Sequence, residues 1–461
     1  MSIKYDFKET NEHLSSHTGL ELVGVLIDRT CLQQRLASAI ISGCENPEID
    51  NSDIILSMIG LLSLGKPHYD MIEIFREDPF FIQSLRLTSC PSSSTLRQRL
   101  DLIEHSFDHI IKEENALLIK STAPVLTPIS ANDGDFIPLD IDVSPFDNSK
   151  SKKEGVSRTY KGFDGYAPIL AYIGKEGYMI NLEQREGKQH CQNGTAEFLM
   201  ETIWYSRLIT GSKILVRLDS GNDSKENIEI FLNEGVDFLI KRNLRKENKN
   251  EWLERAKNEG EIYFTDIKKT VWRGSAYIKI KGIDEKQRVV YDVTERRYDK
   301  KGQKLLIPDI QVDTYWTSLT DCPYDIIEIY HNHGESEQFH SELKSDMDLE
   351  RLPSSKFMTN GLVLLLGGFS YNCLRLFGQI SLTEDVLESV ETPKYRRKAT
   401  RRRVRTVMQD LIYLASHITK SSRKYFLSFG KVCHWKKMWQ KIYQILSAPV
   451  SHSLNLEIVK A

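Results

Sequence analysis

The chain has 461 residues, of which 40% are hydrophobic and 27% charged, and 62 Lys and Arg against 64 Asp and Glu give a formal net charge of −2. This length accommodates about three domains with apolar cores, and the composition excludes an intrinsically disordered protein. Seven scattered cysteines without C-x-x-C spacing argue against a disulfide framework or a zinc ribbon. A polar start and apolar runs shorter than the roughly 18 residues of a membrane span predict a cytoplasmic protein with no membrane segment.

Residues 1–130 are predicted to form a helical N-terminal domain. The run SSST at 92–95 precedes apolar residues at helical spacing in 96–103, a pattern typical of a capped amphipathic helix. Two earlier segments, 51–64 and 69–87, are expected to form helices of the small core. The capped helix is a candidate DNA-recognition helix, and a plain helical bundle fits the pattern equally well.

Residues 131–245 are predicted to begin a catalytic α/β domain. Hydrophobic periodicity predicts three strands, a helix, a strand, a helix and a strand, at 136–143, 167–173, 176–184, 195–210, 213–219, 223–234 and 236–242. This order is ribonuclease-H-like: a meander of three antiparallel strands is extended by parallel strands through crossover helices into a mixed sheet. The tips of the first and fourth strands are then adjacent.

Three acidic residues occupy the positions that this fold would use for catalysis. Asp142 ends the first strand, and Asp219 ends the fourth strand before a Ser-Gly turn. Glu337 begins a segment with apolar residues at fourfold spacing over 339–347, which predicts an amphipathic helix with Glu337 pointing inward. Such carboxylates are ligands for two Mg²⁺ or Mn²⁺ ions in phosphoryl transfer.

The first metal ligand has an alternative. Asp140 and Asp142 are two residues apart on a strand and therefore face the same side of the sheet. Asp142 is favoured because it lies nearer the strand end. Glu337 and His340 also form a Glu-x-x-His pair, but di-iron bundles need a second pair, so His340 is expected to be a surface or packing residue.

Residues 246–322 lie between the second and third acids and are predicted to form a β-rich insertion, all-β over 261–319. The predicted strands are 262–265, 276–280, 289–294 and 314–319.

Residues 386–461 are predicted to form a basic helical C-terminal region. Eight of the twelve residues from 394 to 405 are Lys or Arg, a density that favours contact with phosphates. The candidate DNA contacts in this arm are Arg396, Arg397, Arg401, Arg402 and Arg403.

Tyr330, His333, Glu337 and Lys344 have the spacing of a Y-R-E-K signature. With the flanking segments 140–144 and 217–221, they make the chain similar to DDE transposases of bacterial insertion sequences, in particular the IS-thirteen-eighty group. The resemblance covers most of residues 130–430, and 323–385 would complete the catalytic domain. His333 departs from it, because the family has an arginine there.

The resemblance implies a transposase that binds terminal inverted repeats and target DNA as a homodimer and catalyses metal-dependent strand cleavage and transfer. Tyr330, His333 and Lys344 would position the strand, and residues 1–130 would help to bind the repeats. Relatives with such an insertion can hold a flipped base on an aromatic ring, for which Trp272 and Trp316 are candidates, although both also fit as packing residues. Two alternatives are an inactive DNA-binding derivative and a DNA nuclease without strand transfer.

Overall fold

The computed structural model describes residues 4–299, 301–388, 399–422 and 424–449. The N-terminal elements are β1 (His13–Ser15), α1 (Leu20–Ile27), α2 (Leu32–Ser38), α3 (Asn51–Ser63), a 3₁₀ helix (Tyr69–Ile74), α4 (Pro79–Ser84), α5 (Ser93–Ile103) and α6 (Asp108–Thr122). The hydroxyl of Ser92 accepts the backbone N–H of Thr95 at 3.1 Å, which confirms the predicted cap of α5.

The segment predicted as one helix over 69–87 is divided in two. Pro79 occupies the first turn of α4, and the carboxylate of Asp78 accepts the backbone N–H groups of Phe80 and Phe81. These are strong signals for a helix start, so a new helix begins here.

The central elements are β2 (Ile129–Ala131), β3 (Gly134–Val143), β4 (Phe146–Asp147), β5 (Ser157–Arg158), β6 (Asp164–Tyr166), β7 (Ile169–Ile173), β8 (Tyr178–Glu183), α7 (Thr195–Ile209), β9 (Lys213–Leu218), α8 (Lys225–Glu234), β10 (Asp237–Arg242), α9 (Lys249–Glu259), β11 (Glu261–Thr265), β12 (Lys269–Lys279), β13 (Lys286–Tyr298) and β14 (Lys304–Thr317). The predicted order of strands and helices over 136–242 is therefore confirmed, with ends that differ by at most three residues.

The C-terminal elements are α10 (Pro323–His331), α11 (Ser336–Ser341), α12 (Phe357–Ile380), α13 (Glu384–Leu387), α14 (Val404–Val407), β15 (Ser416–Ser421), β16 (Lys424–Phe429) and α15 (Lys436–Ser447). A 3₁₀ turn, Asn332–Glu335, joins α10 to α11, and a π-helical turn, Glu342–Asp346, follows α11.

The chain forms two compact units. The terminal unit contains the residues up to Pro124, Asp346–Leu349 and the residues from Phe369 onward. The sheet unit contains Val125–Ser345 and Glu350–Gly368. Sequentially distant parts of the chain thus fold together in each unit.

In the terminal unit, the N-terminal helices pack against the C-terminal segment. Helix α1 contacts α3, α4 and α15, and the Arg29 guanidinium donates to the carbonyl of Leu446 at 2.8 Å. Strand β1 pairs with β15, which forms an antiparallel hairpin with β16. The prediction of a wholly helical region over 386–461 is therefore wrong: β-branched and aromatic residues favour strands here, and Ser422 turns the chain with φ of +56°.

The sheet unit is built on ten strands. Nine lie in the order β11-β12-β13-β14-β10-β9-β3-β7-β8, and β2 pairs with β3. Strands β3, β9 and β10 are parallel neighbours, whereas β3, β7 and β8 form an antiparallel meander. The first strand of the meander is therefore central and lies next to β9, as expected.

The insertion extends this sheet. Strand β14 pairs antiparallel with β10, so β11 to β14 continue the same ladder. The β-rich insertion predicted over 246–322 begins with a helix, α9, and continues as the strands β11 to β14 in the part that was predicted to be all-β. Asn248 caps this helix, and Trp252, Leu253 and Ala256 give it a buried face at helical spacing.

Helix α12 is the longest helix among the described residues. By length and composition alone it could cross a membrane, but 94% of its most apolar 18-residue window is buried inside the protein. This burial is that of a core helix.

A glycine turn between β7 and β8 makes room for α11. Gly177 has φ of +73°, and a Cβ atom there would lie 2.3 Å from Cζ of Phe339. Only glycine combines this backbone conformation with the close approach of the Phe339 ring.

Candidate active site

One face of the central sheet changes from apolar to acidic along β3 and β9. Because side chains alternate along a strand, Phe136, Asp140 and Asp142 share a face of β3, and Leu215, Arg217 and Asp219 share the corresponding face of β9. Phe136 and Leu215 belong to an apolar cluster with Ile326, Ile327 and Ile329 of α10. Helix α10 therefore covers the apolar end of this face, and the acidic end lies beyond it.

Asp140 is the centre of a buried ion pair. The Arg217 guanidinium donates to both of its oxygens, at 2.6 and 2.7 Å, and Nδ1 of His333 lies 3.0 Å from Oδ1. Arg217 also donates to the carbonyl of Ile329 at 2.7 Å. Burial raises the pKa of the Asp140 carboxyl, but the charges and hydrogen bonds of Arg217 and His333 lower it further, to below its usual value. Asp140 is thus committed to internal contacts.

Asp142 and Asp219 lie side by side at the tips of their strands. In the parallel pairing of β3 with β9, the last paired residues are Ile141 and Leu218, immediately before the two acids. The side chain of Asp142 is 24% exposed, and its Oδ1 accepts its neighbour's backbone N–H. Burial, and then the negative charge of Asp219, raise the pKa of Asp142 to about 6. The two carboxylates therefore repel each other in the absence of a cation.

The turn after β9 holds the second carboxylate. The Asn222 amide donates to Oδ1 of Asp219 at 2.9 Å across a short 3₁₀ turn. A Cβ atom on Gly221 would lie 3.3 Å from both carboxylate oxygens and 3.1 Å from Sγ of Cys191. The Ser-Gly pair that marked the strand end in the sequence thus also packs tightly against Asp219.

Glu337 lies on the same cleft, but it is exposed and does not point into the protein. The inward face of this segment is formed by Phe339, Leu343 and Met347, all at most 1% exposed, and by His340. At helical spacing this apolar stripe leaves Glu337 at its margin, where the side chain is exposed and lines the cleft. Its orientation towards the two aspartates stays a prediction. The π-helical turn after α11 is a feature often found at functional sites.

Besides Glu337, three residues of the signature line the cleft: Tyr330, His333 and Lys344. The ring of Tyr330 packs against Tyr315, with centroids 4.8 Å apart, and burial followed by the charge of Asp219 raises the pKa of its hydroxyl. Lys344 donates to the carbonyl of Pro145 at 2.7 Å. Burial lowers the pKa of Lys344 to about 8. Because this value is still above 7, most of the ammonium groups carry their charge at pH 7.

His340 is a packing residue, one of the two roles expected for it. It is 5% exposed and lies against the ring of Tyr172, with centroids 5.5 Å apart. Burial, and then the charge of Lys344, lower its pKa to about 3, so the imidazole is neutral at pH 7. Its Nδ1 is 3.9 Å from Oδ2 of Asp142, and it brings no positive charge to that carboxylate.

These side chains surround a cleft of about 700 Å³. The carboxylates of Asp142, Asp219 and Glu337 supply the hard oxygen donors that Mg²⁺ and Mn²⁺ prefer, and the repulsion felt by Asp142 is what a divalent cation relieves. Over the described ranges, however, no three His, Cys, Asp or Glu side chains are grouped closely enough to hold a metal ion. The donors fit in chemical type, and two of the three are adjacent.

Sequence reasoning missed two residues of this cleft, Tyr160 and Lys161. They lie in the loop between β5 and β6, and both line the cleft with the acids. The only available signal was an aromatic residue next to a lysine within a lysine-rich stretch, which has no periodicity.

The predicted DNA-contacting arginines differ in what they contact. Arg402 is 8% exposed, pairs with Asp410 and lies over the ring of Trp435, a placement that gives no support to a DNA contact. Arg403 donates to Asp346 at 2.7 Å with half of its side chain exposed, and Arg401 is half-buried. Arg396 and Arg397 lie outside the described residues.

Trp272 and Trp316 present no free face for a base. They are 7% and 5% exposed, and the Trp316 indole donates to Asp223 at 3.0 Å. Both are packing residues in the extended sheet, the second of the two roles considered for them.

Comparison with known proteins identifies the class as transposases with a DDE domain. More particularly, the chain belongs to the family Transposase DDE domain group 1, which matches residues 2–450. This class cleaves and joins DNA and generally uses divalent metals. Among solved structures, the chain is similar to a piggyBac transposase in a synaptic complex with hairpin DNA, with 13% identity and a TM-score of 0.39 over 86% of this chain and 78% of that one. A sequence comparison with curated proteins finds no match.

The two neighbouring aspartates of β3 should respond oppositely to substitution. Asp140→Asn leaves the buried charge of Arg217 without its carboxylate and should destabilise the protein by about 3 to 5 kcal/mol. Asp142 has a folded-state pKa of about 6, above the usual 3.8, so its ionised form opposes folding above pH 6 and this penalty vanishes as the pH falls below about 4. Asp142→Asn should therefore stabilise the protein at pH 8, by at most about 3 kcal/mol, and not at pH 4.

Denaturant unfolding in a chelating buffer at pH 8 and pH 4 measures both effects. Asp135→Asn, at the exposed far end of β3, is the matched control. Lower stability of Asp142→Asn than of the parent at pH 8 would show that the Asp142 carboxylate is structural.

Proposed function

We propose that the chain is a transposase that uses Asp142, Asp219 and Glu337 to cut DNA strands and join them to a target. The observation that carries the proposal is the pairing of Asp142 with Asp219 at adjacent strand tips, in a cleft that also contains Glu337. Two carboxylates that repel each other at an open site are stabilised when a cation binds between them, which favours a cation-binding role over a structural role. Membership in a DDE transposase family supports the same role.

We propose a ribonuclease-H-like fold for the catalytic core. Strands β3, β7, β8, β9 and β10 provide its supporting feature, because they lie in the spatial order 5-4-1-2-3 when numbered along the chain. The insertion adds its strands to the outer edge of the fifth of these strands, β10, through the pairing of β10 with β14. A central first strand beside a parallel fourth strand is what brings the two aspartates together.

In the proposed mechanism, the three carboxylates would hold two Mg²⁺ or Mn²⁺ ions per active site. With such ions bound, the chemistry supplied at the site is activation of an attacking oxygen and stabilisation of the leaving oxygen of a phosphodiester. The protein itself positions the DNA strand and holds the carboxylates in place. Asp219 is held for this by Asn222, and Asp142 by the strand that Asp140 and Arg217 fix.

Of the three remaining signature residues, Tyr330 and Lys344 would hold the DNA strand beside the acids, and His333 would support the site. The ammonium of Lys344 has three donors and can bind a phosphate oxygen while it keeps the carbonyl of Pro145. Tyr330 presents a protonated hydroxyl to the cleft, since its pKa is raised. His333 is buried against Asp140, so its part is to position the site from beneath.

The substrates we propose are the terminal inverted repeats of the chain's own mobile element and a target duplex, bound by a homodimer in the bacterial cytoplasm. In the basic arm, Arg403 and Arg405 flank Asp346 with half-exposed side chains and are better placed for phosphates than Arg402. Helix α5 remains the candidate recognition helix of the N-terminal segment.

An inactive DNA-binding derivative is the second candidate. The observation that favours it is that, over the described residues, Glu337 is not grouped with the two aspartates into a three-carboxylate site. The substitution of histidine at position 333 points the same way.

Asp219→Ala should abolish strand cleavage and leave DNA binding largely intact, because it removes a ligand and not a DNA contact. The measurement is cleavage and strand transfer of a labelled duplex that carries the gene's flanking DNA, with Mg²⁺ or Mn²⁺. Asp135→Ala, on the same sheet and away from the cleft, should cleave like the parent. If the parent binds the DNA but does not cleave it, the inactive derivative is favoured. If the parent cleaves the DNA but does not join the strands, a nuclease is favoured. Full activity of Asp219→Ala would refute the assignment.

His333→Arg should cleave at least as fast as the parent in the same assay. Arg217 already satisfies both oxygens of Asp140, so an arginine at 333 can extend into the cleft and offer a permanent charge to a phosphate. A clear loss of cleavage, with DNA affinity retained, would show that the Asp140 to His333 contact itself is needed.

A further inference from the structure

A small sheet carries a rigid loop into the active-site cleft. This sheet consists of β4, β6 and β5, which lie in the sequence between β3 and β7 of the main sheet. The loop between β5 and β6 is closed by three hydrogen bonds: Thr159 donates to the carbonyl of Phe163 through its N–H and its hydroxyl, both at 2.8 Å, and the N–H of Gly162 donates to the carbonyl of Thr159 at 3.0 Å. Tyr160 and Lys161 are therefore held at the tip of a short, internally bonded turn.

Tyr160 is tethered beside the first aspartate. Its hydroxyl donates to the carbonyl of Val143 at 3.2 Å, the residue directly after Asp142. Tyr160 nevertheless remains 69% exposed, so its ring is open to contact from solvent.

Lys161 adds a cation to the same cleft. Its side chain is exposed, and its ammonium lies 6.0 Å from the centroid of the Tyr160 ring. The charge of Lys161 lowers the pKa of Asp142 and of Lys344, which places it within electrostatic reach of both. The cleft thus receives one lysine from the β5–β6 loop and another from the segment after α11.

Cations at the rim of the cleft favour the approach of a DNA strand to these carboxylates. Each phosphate carries a negative charge, and unscreened acids repel it. Lys344 already donates to a backbone carbonyl, whereas Lys161 projects into solvent at the rim of the cleft. An exposed aromatic ring next to a lysine is also the pairing that single-stranded nucleic acid uses, with the ring for a base and the cation for the backbone.

We propose that Tyr160 and Lys161 form a second strand-binding element of the active site, in which Lys161 binds a phosphate next to the cleaved one and Tyr160 stacks on the adjoining nucleotide. This inference rests on the proposed function. It assigns the element to positioning of the strand, with no part in the chemistry of the three acids.

The test compares Lys161→Ala with Lys152→Ala, a matched loss of one exposed lysine from the same segment that does not line the cleft. The probe is a labelled duplex of the gene's flanking DNA that ends in a single-stranded 3′ extension. Affinity is measured over a range of salt concentrations with a chelator present. Lys161→Ala should weaken binding and reduce the slope of log affinity against log salt by about 0.7 to 0.9. Lys152→Ala should keep the slope of the parent.

The ring is tested separately with Tyr160→Phe and Tyr160→Ala. Phenylalanine keeps the stacking surface and loses only the tether to Val143, whereas alanine loses both. Tyr160→Ala should reduce cleavage by about tenfold or more relative to the parent, and Tyr160→Phe by clearly less. Equal effects of the two variants would overturn the stacking role.

The parent and Asp219→Ala are run beside these variants. If the parent does not cleave, the proposed function fails, whatever the loop does. If the parent cleaves and Lys161→Ala matches Lys152→Ala in affinity, salt slope and cleavage, the strand-binding element alone is refuted.

Discussion

The buried pairing of Arg217 with Asp140 is the interaction on which the candidate site depends. It joins the two central parallel strands one residue pair below their tips, and it extends to the carbonyl of Ile329 and the ring of His333 in the segment that leads to Glu337. A slip of one residue between β3 and β9 would turn the acids to opposite faces, and would also break a charge pair in the protein interior. The same contact therefore fixes both the strand register and the approach of the covering helix.

Above this pair, the site is electrostatically unbalanced. The carboxylates of Asp142 and Asp219 are adjacent, and the imidazole of His340 beside them is neutral. The guanidinium of Arg217 is paired with Asp140 and does not neutralise them. The cations that face the cleft are Lys344 and Lys161, which come from different segments. The ionised carboxylate of Asp142 opposes folding. In the proposed function the same carboxylate would bind a cation, and the two lysines would bind phosphates.

Local pattern was sufficient to predict the strand tips. The apolar runs before Asp142 and Asp219 set their strands, and the order of strands and helices along the chain is enough to make those two strands neighbours. The choice of Asp142 over Asp140 as the first metal ligand stays a prediction. The structure places Asp142 in the cleft and Asp140 in a buried ion pair, and the sequence did not reveal this difference, because a lone Arg217 in a strand does not show that it binds Asp140.

Other features of the site depend on contacts between residues far apart in the sequence, which local patterns do not show. The density of arginines around Arg402 did not show that this one pairs with Asp410, because a cation count contains no information on internal partners. The apolar spacing around Glu337 did not show that His340 joins the buried stripe and that Glu337 itself is exposed at the cleft. Tyr160 lies in a loop between two short strands, where no periodicity exists to be detected.

The most direct test of this account is calorimetric titration of the full chain with Mn²⁺ at pH 7.5, for the parent, Asp142→Asn, Asp219→Asn and the control Asp135→Asn. The account predicts binding by the parent and the control, and a loss of at least about tenfold in affinity in each of the other two, because one carboxylate ligand of the ion is removed. Unchanged Mn²⁺ affinity in both Asp142→Asn and Asp219→Asn would contradict it, since the paired strand tips would then not be the cation site.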